Sequence, residues 1–197
     1  MKAKFLLVIL VLFGVITLNN NLKAQNNKEN VLTLSITNLA LVTPTLYYER
    51  VVGEKTTLQL GAYYTGAKSN DVKFTGLGII PEFRFYPGGK GAPRGFYFAP
   101  FLKYQNYSIS TTVTDMILGT YDAKATLTGI GGGLIIGNQF IIGDVVALDL
   151  FIGPSIANWS AKYKDNATES DFGDVSMINF EGTGVGVRLG ISLGFAF

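Results

Sequence analysis

Six charged residues sit where an extended strand would turn them away from its own apolar face: Glu49, Glu82, Arg84, Lys103, Asp149 and Arg188. Carboxylates, a lysine and guanidinium groups crowded together can transfer protons, hold an ion or charged ligand, or neutralise one another as a salt-bridged plug. Catalysis lacks its usual partner, because the chain has 0 His and 0 Cys. A general base working near neutral pH is hard to replace. Ser-His-Asp chemistry is impossible, and Cys/His metal sites cannot form. We therefore expect no enzyme activity, with no catalytic residue, metal ligand or cofactor site.

Nucleotide motifs fail on inspection. Gly89-Lys90 is followed by Gly91 instead of Ser or Thr, and Arg84 stands where the first P-loop glycine belongs. Gly129-Ile130-Gly131 starts like a dinucleotide fingerprint, but Leu134 takes the place of its last glycine.

The elements that must position the six charges are strands. Gly is abundant at 24 residues, which disfavours long helices, and 48% of the chain is hydrophobic. Eight extended segments are expected over residues 31–38, 45–52, 56–66, 72–86, 95–109, 121–142, 145–159 and 179–197. Successive strand side chains point to opposite faces. In the last segment Val185, Val187, Leu189, Ile191, Leu193, Phe195 and Phe197 share one face, while Arg188 stands among Gly and Ser on the other. Leu77, Ile79, Pro81, Phe83 and Phe85 oppose Glu82 and Arg84 in the same way. In the first segment Leu32, Leu34 and Ile36 oppose Thr33, Ser35 and Thr37. The polar faces are thick with Gly and carry isolated charges, too sparse for a solvated surface but suited to a crowded interior. The expectation is an all-β, eight-stranded antiparallel transmembrane barrel with its apolar face toward lipid.

Eight strands enclose only enough room for side chains to fill, so unpaired charges there would be costly and a salt-bridged plug is the preferred reading. An ion path or a ligand pocket remains the alternative. Arg50 and Arg94 fall outside the set. Arg50 alternates away from Glu49 near a strand end, where a long side chain can snorkel, and Arg94 lies in a turn. Pro81 and Pro100 each remove a ladder donor, so bulges are expected there. The glycines from Gly129 to Gly133 leave the phase of the sixth strand open.

The first 24 residues carry the three parts of a secretory signal. Lys2 and Lys4 precede the apolar run from Phe5 to Leu18, and Leu22-Lys23-Ala24 forms a small-residue cleavage site. A spanning helix needs roughly 20 apolar residues, and this run is shorter. Loss of Lys2, Lys4 and Lys23 from 16 basic residues leaves 13 against 14 acidic ones, so no basic footprint for nucleic acid remains. Residues 25–197 then form one domain, the barrel.

Export puts both ends of an even-stranded barrel in the periplasm and its longer connections, 110–120 and 160–178, outside the cell. Residues 161–174, with their charges, are the candidate contact surface. Aromatics sort into two girdles: Phe83, Phe85, Phe96, Phe98, Phe140, Phe195 and Phe197 at the periplasmic rim, and Tyr64, Tyr104, Tyr107, Tyr121 and Trp159 at the outer one.

Four stretches carry a resemblance: Tyr48-Glu49-Arg50, Pro81-Glu82-Phe83-Arg84-Phe85-Tyr86, Ala92-Pro93-Arg94-Gly95-Phe96-Tyr97 with Ala99-Pro100, and Gly153-Pro154. They resemble domain-of-unknown-function family 3575, small outer-membrane barrels frequent in Bacteroidota. The resemblance implies export and a small barrel, with Glu49, Glu82 and Arg84 in a shared interior. It brings no established activity. The expected function is a structural or interaction role through extracellular loops, with a narrow transport or ligand-binding barrel as the alternative. Expected partners are outer-membrane lipid, the barrel-assembly machinery reading the last strand with its terminal Phe197, and an unidentified extracellular partner. The barrel itself is expected to be a monomer.

Overall fold

A computed structural model describes residues 28–69, 72–115, 119–164 and 182–197. The expected signal lies outside the described residues, as does the candidate contact surface beyond residue 164. Eight strands follow one another: β1 (Asn30–Ser35), β2 (Thr45–Gly53), β3 (Thr56–Ser69), β4 (Val72–Phe85), β5 (Gly95–Asp115), β6 (Gly119–Ile142), β7 (Val146–Lys164) and β8 (Gly182–Ala196). Among the described residues one short helix, α1 (Ile36–Ala40), interrupts them. Among the described residues no helix is long and apolar enough to cross a membrane.

Each strand pairs antiparallel with its sequence neighbour, and β8 pairs with β1, so the sheet closes into a barrel. The seam is sealed by main-chain bonds in both directions, Asn30 N to Phe197 O at 3.0 Å and Phe197 N to Asn30 O at 2.9 Å. Closure leaves no free edge at this end of the barrel. Side chains alternate between a buried inner face and an exposed outer one, as period 2 requires.

The first strand stops earlier than expected. Ser35 Oγ accepts a hydrogen bond from Asn38 N at 3.2 Å and caps α1, so Ile36 and Thr37 leave the sheet. Asn38 Nδ2 then donates to Thr45 Oγ1 at 2.9 Å and ties the helix to the start of β2.

The bulges expected at Pro81 and Pro100 are absent. The β4–β5 ladder keeps one register from Lys73↔Ser110 to Phe85↔Phe98, with pairing missing at the prolines themselves. Both missing donors fall on that shared ladder, while the outer ladders hold Leu60↔Pro81 and Pro100↔Leu134 in step. A register shift occurs instead between Val51 and Gly53, beside a tight turn.

Within both expected loops, the described residues continue the strands. The β5–β6 ladder runs on through Thr111, Thr112, Val113 and Thr114 to Asp115↔Gly119, and β7 extends to Lys164. β-Branched threonines sustain a strand without an apolar face. The phase of β6 is also resolved: Ile130, Leu134, Ile136 and Phe140 point out, whereas Ile135, Gly137 and Gln139 are buried.

Candidate functional site

Arg84 is the centre of the barrel interior, with 0% of its surface exposed. Every arm of its guanidinium is used. Nε donates to Glu82 Oε1 at 2.6 Å, Nη1 to Glu49 Oε2 at 3.1 Å, and Nη2 to Asp149 Oδ2 at 2.9 Å. The Tyr97 ring stacks against it, 4.3 Å from Cζ to the ring centre. Three strands, β2, β4 and β7, thus meet through one side chain.

The carboxylates are satisfied in turn. Glu49 Oε1 accepts from Thr57 Oγ1 at 2.6 Å and from the Tyr86 hydroxyl at 2.7 Å. Asp149 Oδ1 accepts from the Tyr97 hydroxyl at 3.0 Å. Gln139 bridges the layer, its Oε1 accepting from Arg84 Nη1 at 3.1 Å while Nε2 donates to Glu49 Oε2 and to the Pro93 carbonyl. Charge-assisted bonds of this kind compensate for desolvation only when the remaining lone pairs are also filled. Here they are.

Pro93 belongs to the connection between β4 and β5. That connection is long because it folds back across the barrel: Ala92 N donates to Glu54 O at 2.9 Å, and Ala92 packs against the interior aromatics. On the surface beside it, Arg94 pairs with Asp144 of the β6–β7 turn. The Arg94 hydrogen bond first, and its charge second, hold the Asp144 carboxyl below the ordinary aspartate range. A lowered carboxyl supports the fold above its unfolded value, and this support fades as pH falls through the lowered one.

One level nearer α1, Arg188 Nη1 donates to Glu82 Oε2 at 2.6 Å. Its guanidinium lies 4.5 Å from the Phe101 ring centre and 4.7 Å from that of Phe151. Its Nη2 is buried without a hydrogen-bond partner.

Of the six charges expected to form one network, five do so: Glu49, Glu82, Arg84, Asp149 and Arg188. Lys103 does not. Its Nζ lies over the Tyr63 ring at 5.7 Å, and among the described residues it forms no ion pair. Parity turned it inward, but two residues beyond Phe101 it stands above the carboxylate layer. Gln139, Tyr86 and Tyr97 complete the network and were missed. Gln139 could have been found by counting back from the Gly143-Asp144 turn with Phe140 facing out.

The girdle assignment needs two corrections. Tyr107 and Trp159 share the inner face and stack on each other at 6.1 Å, and the Tyr107 hydroxyl lies 2.9 Å from that of Tyr63. The odd-numbered positions of β5 and β7 point inward, and these two residues follow that parity. The Tyr121 side chain lies outside the described residues. The phenylalanines assigned to the other rim are exposed on the outer face.

Between α1 and the network the interior opens into a cavity of about 440 Å³. Tyr47, Tyr63, Phe101, Lys103, Phe151 and Arg188 contribute to its walls and floor, and Thr37, Asn38, Leu41 and Thr43 border its side.

Fold and interior together define a class: all-β chains closed into a ring of eight antiparallel strands around buried ion pairs. The chain belongs to the family described as protein of unknown function (DUF3575), whose model matches residues 6–197. No curated protein and no solved structure matches it.

Proposed function

We propose that this chain is an exported, monomeric outer-membrane barrel with a closed, salt-bridged lumen, serving a structural or interaction role at the cell surface. The observation that carries the reading is an inverted distribution of polarity. Leu102 is 66% exposed and Leu134 62%, while Arg84 is 0% and Asp149 1% exposed. Water would favour the reverse, whereas a lipid-facing barrel requires it. In this reading the termini and the Pro93 connection face the periplasm, and α1 lies on the extracellular side. The barrel-assembly machinery would read β8 with Phe197.

The decisive substitution is Leu102→Arg. In lipid an arginine near the bilayer midplane costs about 2–4 kcal/mol, whereas an exposed leucine in water tolerates the change within about 0.5 kcal/mol. Urea unfolding of the barrel from phospholipid vesicles should therefore show a clear loss. An unchanged midpoint contradicts the lipid-facing surface. In cells, the protein should fractionate with outer membranes and migrate differently in gels before and after boiling. Recovery from the soluble periplasm would remove the reading.

The plug makes a second prediction. Ions crossing the lumen would have to pass Arg84 and the three buried carboxylates paired with it. Planar bilayers holding the purified barrel should show no steady ion-selective openings, and such openings would favour a transport barrel instead. Crosslinking on intact cells, followed by identification of the captured protein, tests the interaction role. The cavity above the plug supports ligand binding as a second reading.

A further inference from the structure

The cavity is not sealed by strands on every side. β1 has 6 residues and β8 has 15, and their ladder covers only Ser192 to Ala196 of β8. Among the described residues, 182–191 have no strand on that edge. Across the gap, β2 begins at Thr45 opposite Tyr63, so beyond that point β3 keeps β4 on one edge and has no strand on the other among the described residues. The segment carrying α1 fills the gap with few bonds: Ile191 N donates to Thr37 Oγ1 at 2.9 Å, Tyr64 N to Pro44 O at 3.4 Å, and Thr65 Oγ1 to Val42 O at 3.2 Å. The cavity reaches this place, because Val187 and Leu189, which point outward from β8, border it together with Leu41.

The chemistry of the chamber is two-sided. Its walls are apolar, from Tyr47, Ile80, Phe101 and Phe151. At its floor are two cations: Lys103 forms no ion pair among the described residues, and Arg188, held by Glu82, adds its charge from just below. The one carboxylate bound to Arg188, Glu82, is shared with Arg84. A buried cation retains its charge at low cost only when a counter-charge is supplied. The volume falls within the range of about 300–1,000 Å³ typical of small-molecule sites.

We propose that the cavity is a binding site for a single-chain amphipathic carboxylate, reached sideways between α1 and β8. The carboxylate lies against Lys103 Nζ with the Arg188 charge beneath it, and the chain runs between the aromatic rings toward Leu41 and Val187. The sideways route from the bilayer rests on the membrane reading above; the cation-floored chamber does not.

Native mass spectrometry of the barrel in a non-ionic maltoside detergent tests the site with dodecanoate as the probe. The expected result is one dodecanoate per barrel, with at least tenfold weaker retention of 1-dodecanol. Lys103→Met should weaken dodecanoate binding at least tenfold, and Lys103→Arg should restore it. Lys103 is outside the ion-pair plug, and the gel shift on boiling verifies that each variant is folded. Equal retention of the alcohol, or a folded Lys103→Met barrel that binds as before, overturns the site. Fractionation of the unmodified protein is read separately: dodecanoate binding by a soluble periplasmic protein would keep the chamber and overturn the route from lipid.

Discussion

Replacing Arg84 by Met should abolish assembly of the barrel. The substitution removes the group that holds Glu49, Glu82 and Asp149 together and leaves Glu49 and Asp149 without a cation among the described residues. Glu82 would retain Arg188. Removing one partner of a buried ion pair costs about 3–5 kcal/mol, and here one side chain serves three pairs. The whole stability of a typical domain is about 5–15 kcal/mol. Refolding into detergent micelles, followed by gels of boiled and unboiled samples, should show only the unfolded band. Arg84→Lys should recover part of the folded band, since an ammonium supplies the charge but cannot reach three acids in a fork. Adding Glu49→Gln and Asp149→Asn to Arg84→Met should recover folding too, because the stranded charges go with their partner. Normal folding of Arg84→Met alone would refute the plug as the centre of the interior.

Gly194→Val is expected to open the seam. Gly194 pairs with Thr33 of β1 on one side and with Ala147 of β7 on the other. A Cβ at this position would overlap the Leu32 carbonyl oxygen and lie 2.6 Å from Thr33 Cα. Those are main-chain atoms of the strand that closes the ring, so no side-chain rotation relieves the clash. Overpacking typically costs about 1–3 kcal/mol, and valine adds two further methyl groups. Gly184→Val in the same strand is the control, because a Cβ there meets nothing within 4 Å. Urea unfolding should show a large fall in midpoint for the first variant and little change for the second. Equal midpoints would mean that the β1–β8 contact does not limit stability.

Much of this molecule could be read along single strands. The alternation from Val185 to Phe197 gave β8 its outer face, and Arg188 its place inside. Glu82 and Arg84 followed from the same parity in β4. The reading failed where parity was not the deciding quantity. α1 is five residues long, too short for any helical period to appear, and it depends on the Ser35 cap and the Asn38–Thr45 bond. Tyr107 and Trp159 were placed by their position near strand ends, although their parity already pointed inward. Lys103 was given the right face, but parity carries no depth and so could not separate it from the ion-pair network.

The sequence by itself therefore determined the strands, their two faces and the absence of His and Cys chemistry, since each depends on residue type or a period of 2 within one segment. Tertiary structure alone decided which inward charges meet. Arg84 and Asp149 are 65 positions apart, and Arg188 and Glu82 are 106 apart. The stagger of a closed barrel sets their common level. It also decided that Lys103 remains outside that level, above the plug. The gap beside β8 has the same origin. It arises from the unequal lengths of β1 and β8, which matter only once the two strands are brought together to close the ring.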